Sequence, residues 1–99
     1  MYGATKAALR ALVRSWILDI KGSGVRINLL SPGPVDTDSL RNMLGKDAEH
    51  IYGLLSEKST LGRIGQADEI GKAVVFLASE DSTYINGVEL FADGGASQI

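Results

Sequence analysis

The sequence predicts an α/β fold that is one piece of a parallel sheet, in the order helix, strand, irregular helical insert, helix, strand. Three observations predict it. A long alanine-rich helical pattern ends at Gly22-Ser23-Gly24 and leads into the largely apolar run Val25-Arg26-Ile27-Asn28-Leu29-Leu30. A second helical pattern, about Ala67–Ser79, is followed by a second short apolar run, Val88–Ala92. Only two strands are found, and an isolated two-stranded unit is marginal in water. Parallel strands also need cover on both faces, so the sheet is expected to be incomplete within this chain.

The first helix is predicted over about Tyr2–Lys21. Ala4, Ala7, Ala8 and Ala11 are strong helix formers. Leu9, Leu12, Val13, Trp16, Ile17 and Ile20 recur at helical spacing, and Arg10 and Arg14 mark a polar flank one turn apart. The apolar face is wide enough to expect cover on more than one side, with Trp16, Leu12 and Ile20 in a core or an interface. Glycine follows Lys21 where a left-handed cap is wanted. The strand Val25–Leu30 is predicted to end at Ser31-Pro32-Gly33-Pro34, because proline cannot continue a ladder.

Between Val35 and Gly65 the sequence predicts short helices in a long loop. Leu40, Met43 and Leu44 form one group, and Ala48, Ile51, Tyr52 and Leu55 another, broken up by Gly45, Gly53, Gly62 and Gly65. Connections of this length are usually functional or mobile. In the helix Ala67–Ser79, Asp68 and Glu69 occupy the first turn, where they complement the dipole. Ile70, Ala73, Val74, Leu77 and Ala78 form its expected buried stripe. The last strand, Val88–Ala92, is closed by Asp93-Gly94-Gly95.

Composition excludes several function classes. The chain has 99 residues, 10 Lys+Arg against 12 Asp+Glu, one His and no Cys. That length allows one small domain. The near-neutral balance argues against nucleic acid as a partner. Disulfides and thiolate or His-rich metal sites are excluded. No apolar run approaches the roughly 20 residues of a membrane span, and residues 1–6 lack a signal-peptide pattern. A cytoplasmic setting is expected.

Tyr2 and Lys6 carry the chemistry. Four residues apart on a helix, they share one face. An ammonium beside a phenol favours the phenolate, which lets a tyrosine exchange a proton near neutral pH. Spacing alone is a weak signal, since such pairs occur on many helices by chance.

The surrounding residues sharpen it. Tyr2-Gly3-Ala4-Thr5-Lys6-Ala7-Ala8-Leu9 resembles the Tyr-x-x-x-Lys segment of the short-chain dehydrogenase/reductase family, classical type. Val25-Arg26-Ile27-Asn28 and Ser31-Pro32-Gly33-Pro34-Val35-Asp36-Thr37 resemble its strand and Pro-Gly loop. Leu61-Gly62-Arg63-Ile64-Gly65, Asp68-Glu69-Ile70 and Phe76-Leu77-Ala78-Ser79 resemble its late helix. Asn86-Gly87 and Asp93-Gly94-Gly95 resemble its terminal strand. The resemblance runs from end to end and in the family's order.

It covers only the C-terminal portion of the family's longer chain. The sequence contains no Gly-x-x-x-Gly-x-Gly loop, no upstream Asn-Ala-Gly segment and no catalytic serine before the tyrosine. The implied fold is the C-terminal part of a doubly wound Rossmann-type parallel sheet, incomplete without its N-terminal half. The implied activity is hydride transfer between NAD or NADP and an alcohol or carbonyl carbon of a small molecule. The resemblance makes Tyr2 the acid/base and has Lys6 lower its pKa and bond the nicotinamide ribose. Pro32, Gly33 and Pro34 would shape the loop facing the nicotinamide. The Val35 backbone would hold the carboxamide, and Thr37 would contact carboxamide or pyrophosphate.

About 38–61 would be the substrate lid. Homo-oligomers are implied through helices at about 4–21 and 67–79, together with the last strand. The isolated chain is expected to be inactive, and the alternative is a non-catalytic truncated remnant acting as an oligomerisation or interaction module.

Plainer roles stand beside these. Tyr2 could be a frayed terminal residue and Lys6 an ordinary surface lysine. Pro32-Gly33-Pro34 ends a strand whether or not it binds anything. Thr37 is also a candidate N-cap, with Asp38 as its rival. Asp36 reads as a turn residue, Arg63 as structural, and Asn28 as a bond to neighbouring backbone. His50 reads as a solvated or lid residue, with a substrate contact as the alternative.

Overall fold

The fold is that of a computed structural model, which describes residues 2–98, the side chains of Tyr2 and Gln98 excepted. It contains helices α1 (Tyr2–Asp19), α2 (Asp38–Leu44), α3 (Ala48–Lys58) and α4 (Ala67–Ala78). Its strands are β1 (Leu29–Pro32), β2 (Val35–Asp36), β3 (Gly65–Gln66) and β4 (Glu89–Ala92). Both β1 with β4 and β2 with β3 pair in parallel, as the predicted class requires.

The first strand differs from its expected bounds. Only Leu29–Pro32 pairs, with Leu29 opposite Glu89 and Pro32 opposite Ala92. Pro32 lacks an N–H, but at the last rung none is needed, and the Gly33 N–H closes the ladder on the Ala92 carbonyl at 3.0 Å. Residues 25–28 run extended without a ladder, and asparagine side chains replace it. Asn28 donates to the Ile85 carbonyl at 3.1 Å and accepts from the Val88 N–H at 3.0 Å. Asn86 accepts from the Ile27 N–H at 3.0 Å. Both amides satisfy backbone groups that would otherwise be stranded.

The helices fall within two residues of expectation. Helix α1 stops at Asp19 rather than Lys21, with Gly22 and Gly24 both at positive φ. Helix α4 ends at Ala78, and β4 begins one residue late, at Glu89. Thr37 settles the rivalry at the start of α2. Its hydroxyl accepts from the Leu40 N–H at 3.1 Å, so Thr37 is the cap and Asp38 lies in the first turn.

The expected cover of the helices is not supplied by this chain. Among described residues, the buried apolar side chains are Val13, Ala48 and Tyr52. Trp16 and Leu12 of α1 are each 43% exposed, so they do not form a core within this chain. In α4 the stripe is only half-buried at Ile70, Ala73 and Leu77, and Val74 and Ala78 are exposed. The radius of gyration is 15.9 Å, larger than the roughly 13 Å of a compact 100-residue domain. Two strands cannot cover two helices on all their apolar sides, so those faces stay open.

Candidate functional site

The site is built where the parallel strands end. In open α/β sheets ligands bind in the crevice outside the carboxyl ends of the strands. Here those ends carry two loops in close contact, Gly33-Pro34 after β1 and Asp93-Gly94-Gly95 after β4. A Cβ on Gly33 would stand 2.7 Å from both Cα and Cβ of Asp93. Only glycine allows that approach. The Asp93 carboxylate accepts from the N–H groups of Gly95 and Ser97, both at 2.9 Å, which shapes the turn. Bonding to Ser97, first of all, holds that carboxyl below its ordinary range.

The second loop also anchors the helical insert. The Gly94 carbonyl accepts from the hydroxyls of Ser59 and Thr60, each at 2.9 Å, and from the Leu61 N–H at 3.2 Å. Gly94 has φ +63, and a Cβ there would run into the Ser59 hydroxyl. The exit of α3 is therefore fixed to the same turn that Gly33 contacts. A cavity of about 230 Å³ lies beside it, bounded by Pro34, Leu61, Arg63, Ile70, Phe91 and the Asp93–Gly95 turn.

The entrance to the insert is held by charge. Arg41 on α2 donates through Nε and a terminal nitrogen to the two oxygens of Asp36, at 2.9 and 3.1 Å. It also donates to Glu49 at 3.1 Å, and its guanidinium lies 4.8 Å over the Tyr52 ring. Asp36 is thus a strand residue paired to the insert rather than a turn residue. The Arg41 guanidinium keeps its carboxyl below the usual range. The Tyr52 hydroxyl is buried beside Asp36 and Thr37 without a well-formed hydrogen bond, and burial pushes that phenol up.

Arg63 has the structural role expected of it. It grips both Glu69 oxygens, at 2.8 and 2.9 Å, and donates to the Ile64 carbonyl. Glu69 also accepts from the Gln66 N–H at the start of α4. Arg63 first, then that N–H, bring the Glu69 carboxyl from 4.5 to about 2.

Asp36, Glu69, Glu89 and Asp93 all have folded-state values below their ordinary ones. Each stabilises the fold above its unfolded-state pKa and loses that contribution as pH falls through its folded value. Stability is therefore expected to hold from neutral pH to about 4.5 and to decline toward pH 2, the interval that Glu69 sets. Urea unfolding followed by circular dichroism at pH 7, 5, 3 and 2 checks this. A midpoint that rises on acidification contradicts it.

The sequence-derived site residues are placed as follows. Tyr2 begins α1, and its side chain lies outside the described residues. Lys6 is half-buried one turn later. Pro32 is the last residue of β1, Gly33 meets Asp93, Val35 is in β2, and Thr37 caps α2. His50 is exposed on α3. Among the described residues no cluster of His, Cys, Asp or Glu suited to a metal is found. No helix there is long and apolar enough to cross a membrane.

Sequence reasoning missed Arg41, which joins Asp36, Glu49 and the Tyr52 ring, and two further sets of residues. One is the Ser59–Leu61 clamp on Gly94, which carries no recognisable spacing. The other is Glu89 with Ser31 and Arg10, for which a signal existed, since an acidic residue in the apolar run Val88–Ala92 demands a partner.

The family model described as enoyl-(acyl carrier protein) reductase matches residues 1–97. The chain belongs to the short-chain dehydrogenase/reductase family. It is 39% identical over its whole length to an oxidoreductase of Sarocladium schorii, covering 39% of that protein. It is 40% identical over 102 aligned residues to the 2,3-dihydro-2,3-dihydroxybenzoate dehydrogenase of Escherichia coli, covering 97% of this chain and 41% of that one. Among solved structures it is similar to a gluconate 5-dehydrogenase of Burkholderia cenocepacia in complex with NADP and tartrate. The TM-score is 0.82, with 39% identity over 99% of this chain and 38% of that one. The chain thus spans about two fifths of the length of the curated relatives it matches.

Proposed function

We propose that this chain is the C-terminal portion of an NAD(P)-dependent oxidoreductase domain acting on an alcohol or carbonyl carbon of a small molecule. One observation carries the proposal. The Pro-Gly loop stands at the carboxyl ends of paired parallel strands, pinned by Gly33 against Asp93, in a chain whose relatives are dehydrogenases and whose structural neighbour holds NADP.

The residues fit the nicotinamide end of such a cofactor. Gly33-Pro34 offers backbone without bulky side chains, and Lys6 and Thr37 carry hydrogen-bond donors. The Thr37 hydroxyl accepts from Leu40, which leaves its own proton to give. When bound, the cofactor supplies the hydride. In this proposal Tyr2 moves the proton at the substrate oxygen. Lys6 favours the Tyr2 phenolate and bonds the ribose. Pro32 and Gly33 shape the wall, the Val35 backbone holds the carboxamide, and Thr37 bonds the carboxamide or pyrophosphate. Residues 38–61 close over substrate, with Arg41 and the Gly94 turn holding the two ends of that segment.

The test is a titration of the folded chain with NADPH and NADH, followed by nicotinamide fluorescence. Saturable binding is expected, weakened about tenfold or more in Lys6→Met by the loss of a charge-assisted bond. No turnover is expected from the chain alone.

A folded chain that takes neither cofactor favours the second reading, a non-catalytic oligomerisation or interaction module. The open apolar faces support that reading. Leu9, Leu12 and Trp16 on α1 are 39–43% exposed, and Val74, Val75 and Phe76 on α4 are 39–67% exposed. Under either reading self-association through α1 and α4 is expected, and a single monomeric species in concentrated solution by light scattering argues against it.

A further inference from the structure

Glu89 is out of place in its strand. The residues on either side of it in and before β4 are Val88, Leu90, Phe91 and Ala92, yet its side chain is only 7% exposed. A carboxylate so placed is costly unless it is paired and hydrogen-bonded. Both its oxygens are engaged. One accepts from the Ser31 hydroxyl at 2.8 Å, and the other accepts from Nε and a terminal nitrogen of Arg10, at 2.8 and 2.5 Å.

These partners belong to the two elements that frame the proposed site. Ser31, itself 5% exposed, immediately precedes Pro32-Gly33-Pro34. Arg10 lies on α1 one turn after Lys6 and two turns after Tyr2, so all three positions share one helix face. The Ser31 hydroxyl first, then Arg10, hold the Glu89 carboxyl below its ordinary range, and the Lys6 ammonium acts in the same direction.

Apolar contacts hold α1 beyond Arg10, through Val13 and through Ile17, whose Cδ1 lies 2.7 Å from where a Cβ on Gly87 would stand. Val13 is its one fully buried residue among those described, and Leu9, Leu12 and Trp16 remain open. Two charge-assisted hydrogen bonds from Arg10 to one Glu89 oxygen are directional where such packing is not.

We infer that Glu89 is a positioning residue that bridges Ser31 on β1 and Arg10 on α1, and so sets the rotation of α1 that turns Lys6 and the Tyr2 end toward the loop beginning at Pro32. The link to catalysis rests on the function proposed above, while the bridge itself does not.

The test uses the whole chain, isotope-labelled, with Glu89→Gln, Arg10→Met and the double variant. Nuclear magnetic resonance reads the Lys6 side-chain signals and amide exchange, and NADPH fluorescence reads binding. Each single variant is expected to shift the Lys6 signals and to speed exchange in residues 3–12 by about tenfold, with residues 67–78 unchanged. The double variant is expected to be no worse than either single one, because one bridge has been lost. If Glu89→Gln does not fold, Arg10→Met still removes the bridge from its solvent side. Unmoved Lys6 signals, or a uniform loss of protection across the chain, would overturn the positioning role. Wild type that takes no NADPH, with Lys6 signals that still move in the variants, keeps the bridge and removes the cofactor reading alone.

Discussion

Gly33→Ala is expected to lower the thermal unfolding midpoint by about 4–24 °C. A Cβ at this position would lie 2.7 Å from Asp93 Cα and Cβ and 3.3 Å from the Asp93 carbonyl oxygen. Carbon atoms pack at about 3.5–4.0 Å. The obstacle is mostly main chain, which cannot move aside by changing a rotamer. One of the two loops must shift, and the shift breaks the Gly33 N–H bond to Ala92 that closes the β1–β4 ladder. It also displaces the turn in which Asp93 binds Gly95 and Ser97, and Gly94 binds Ser59, Thr60 and Leu61. Overpacking of this kind costs about 1–3 kcal/mol. In a chain of this length each kcal/mol moves the midpoint by about 4–8 °C. Gly71→Ala is the control. It is exposed within α4, a Cβ there meets nothing within 4 Å, and alanine improves a helix interior by about 0.5–1 kcal/mol. Circular dichroism melts of the two variants separate a close backbone contact from the general effect of replacing glycine. A Gly33→Ala chain that melts with wild type would remove the contact from the account.

The helices were legible because their signals are local. Alanine content and 3.6-residue spacing placed α1 and α4 to within two residues, and Asp68 and Glu69 marked where α4 begins. The insert also resolved as its two apolar groups implied, into α2 and α3. The strands were less legible for a physical reason. The run Val25–Leu30 has the β-branched start of a strand, but Asn28 and Asn86 spend their amides on backbone groups over residues 25–28, and pairing starts only at Leu29. Strands β2 and β3 are two residues each and carry no periodicity. Their pairing depends on the close approach of Pro34 and Gly65, which sequence does not encode locally.

The candidate site divides the same way. Tyr2 with Lys6, and Pro32, Gly33, Val35 and Thr37, stood out as two separate short segments, each resembling a local motif of the family. What holds those segments in place is long-range. Glu89 is 79 residues from Arg10 and 58 from Ser31, and Gly94 is 35 residues from Ser59. A single charge in an apolar strand announces that a partner exists without naming it. The sheet order keeps only two longer strands, so one helix face has cover and the others do not.

Arg26→Met is expected to destabilise the chain by about 3 kcal/mol, because hydrogen bonds to a charged group are worth about 1.5–3 kcal/mol and this guanidinium serves several acceptors. Arg26 reaches from the extended segment before β1 to the C-terminal end of α4. It donates to the carbonyls of Leu77 at 3.0 Å, Ser79 at 3.3 Å and Ile85 at 3.2 Å, and to the Ser82 hydroxyl at 3.2 Å. Helix α4 has no basic residue in its own last turn. Arg26 therefore supplies from a distance both the cation that the helix dipole favours and donors for its terminal carbonyls. Ser82, 1% exposed, completes the cap by donating to the Phe76 carbonyl at 2.8 Å while it accepts from Arg26. Methionine keeps the apolar stem and removes every donor, so the carbonyls of Leu77, Ser79 and Ile85 lose a partner together. Arg26→Lys is expected to restore less than half of the loss, since an ammonium cannot span acceptors on both sides of the turn as a planar fork does. Urea unfolding measures the magnitude, and amide exchange gives the place, with protection lost first in residues 76–86. Protection lost first in α1 instead, or a Met variant within about 0.5 kcal/mol of wild type, the range of ordinary surface substitutions, would mean that α4 is capped by Ser82 and solvent alone.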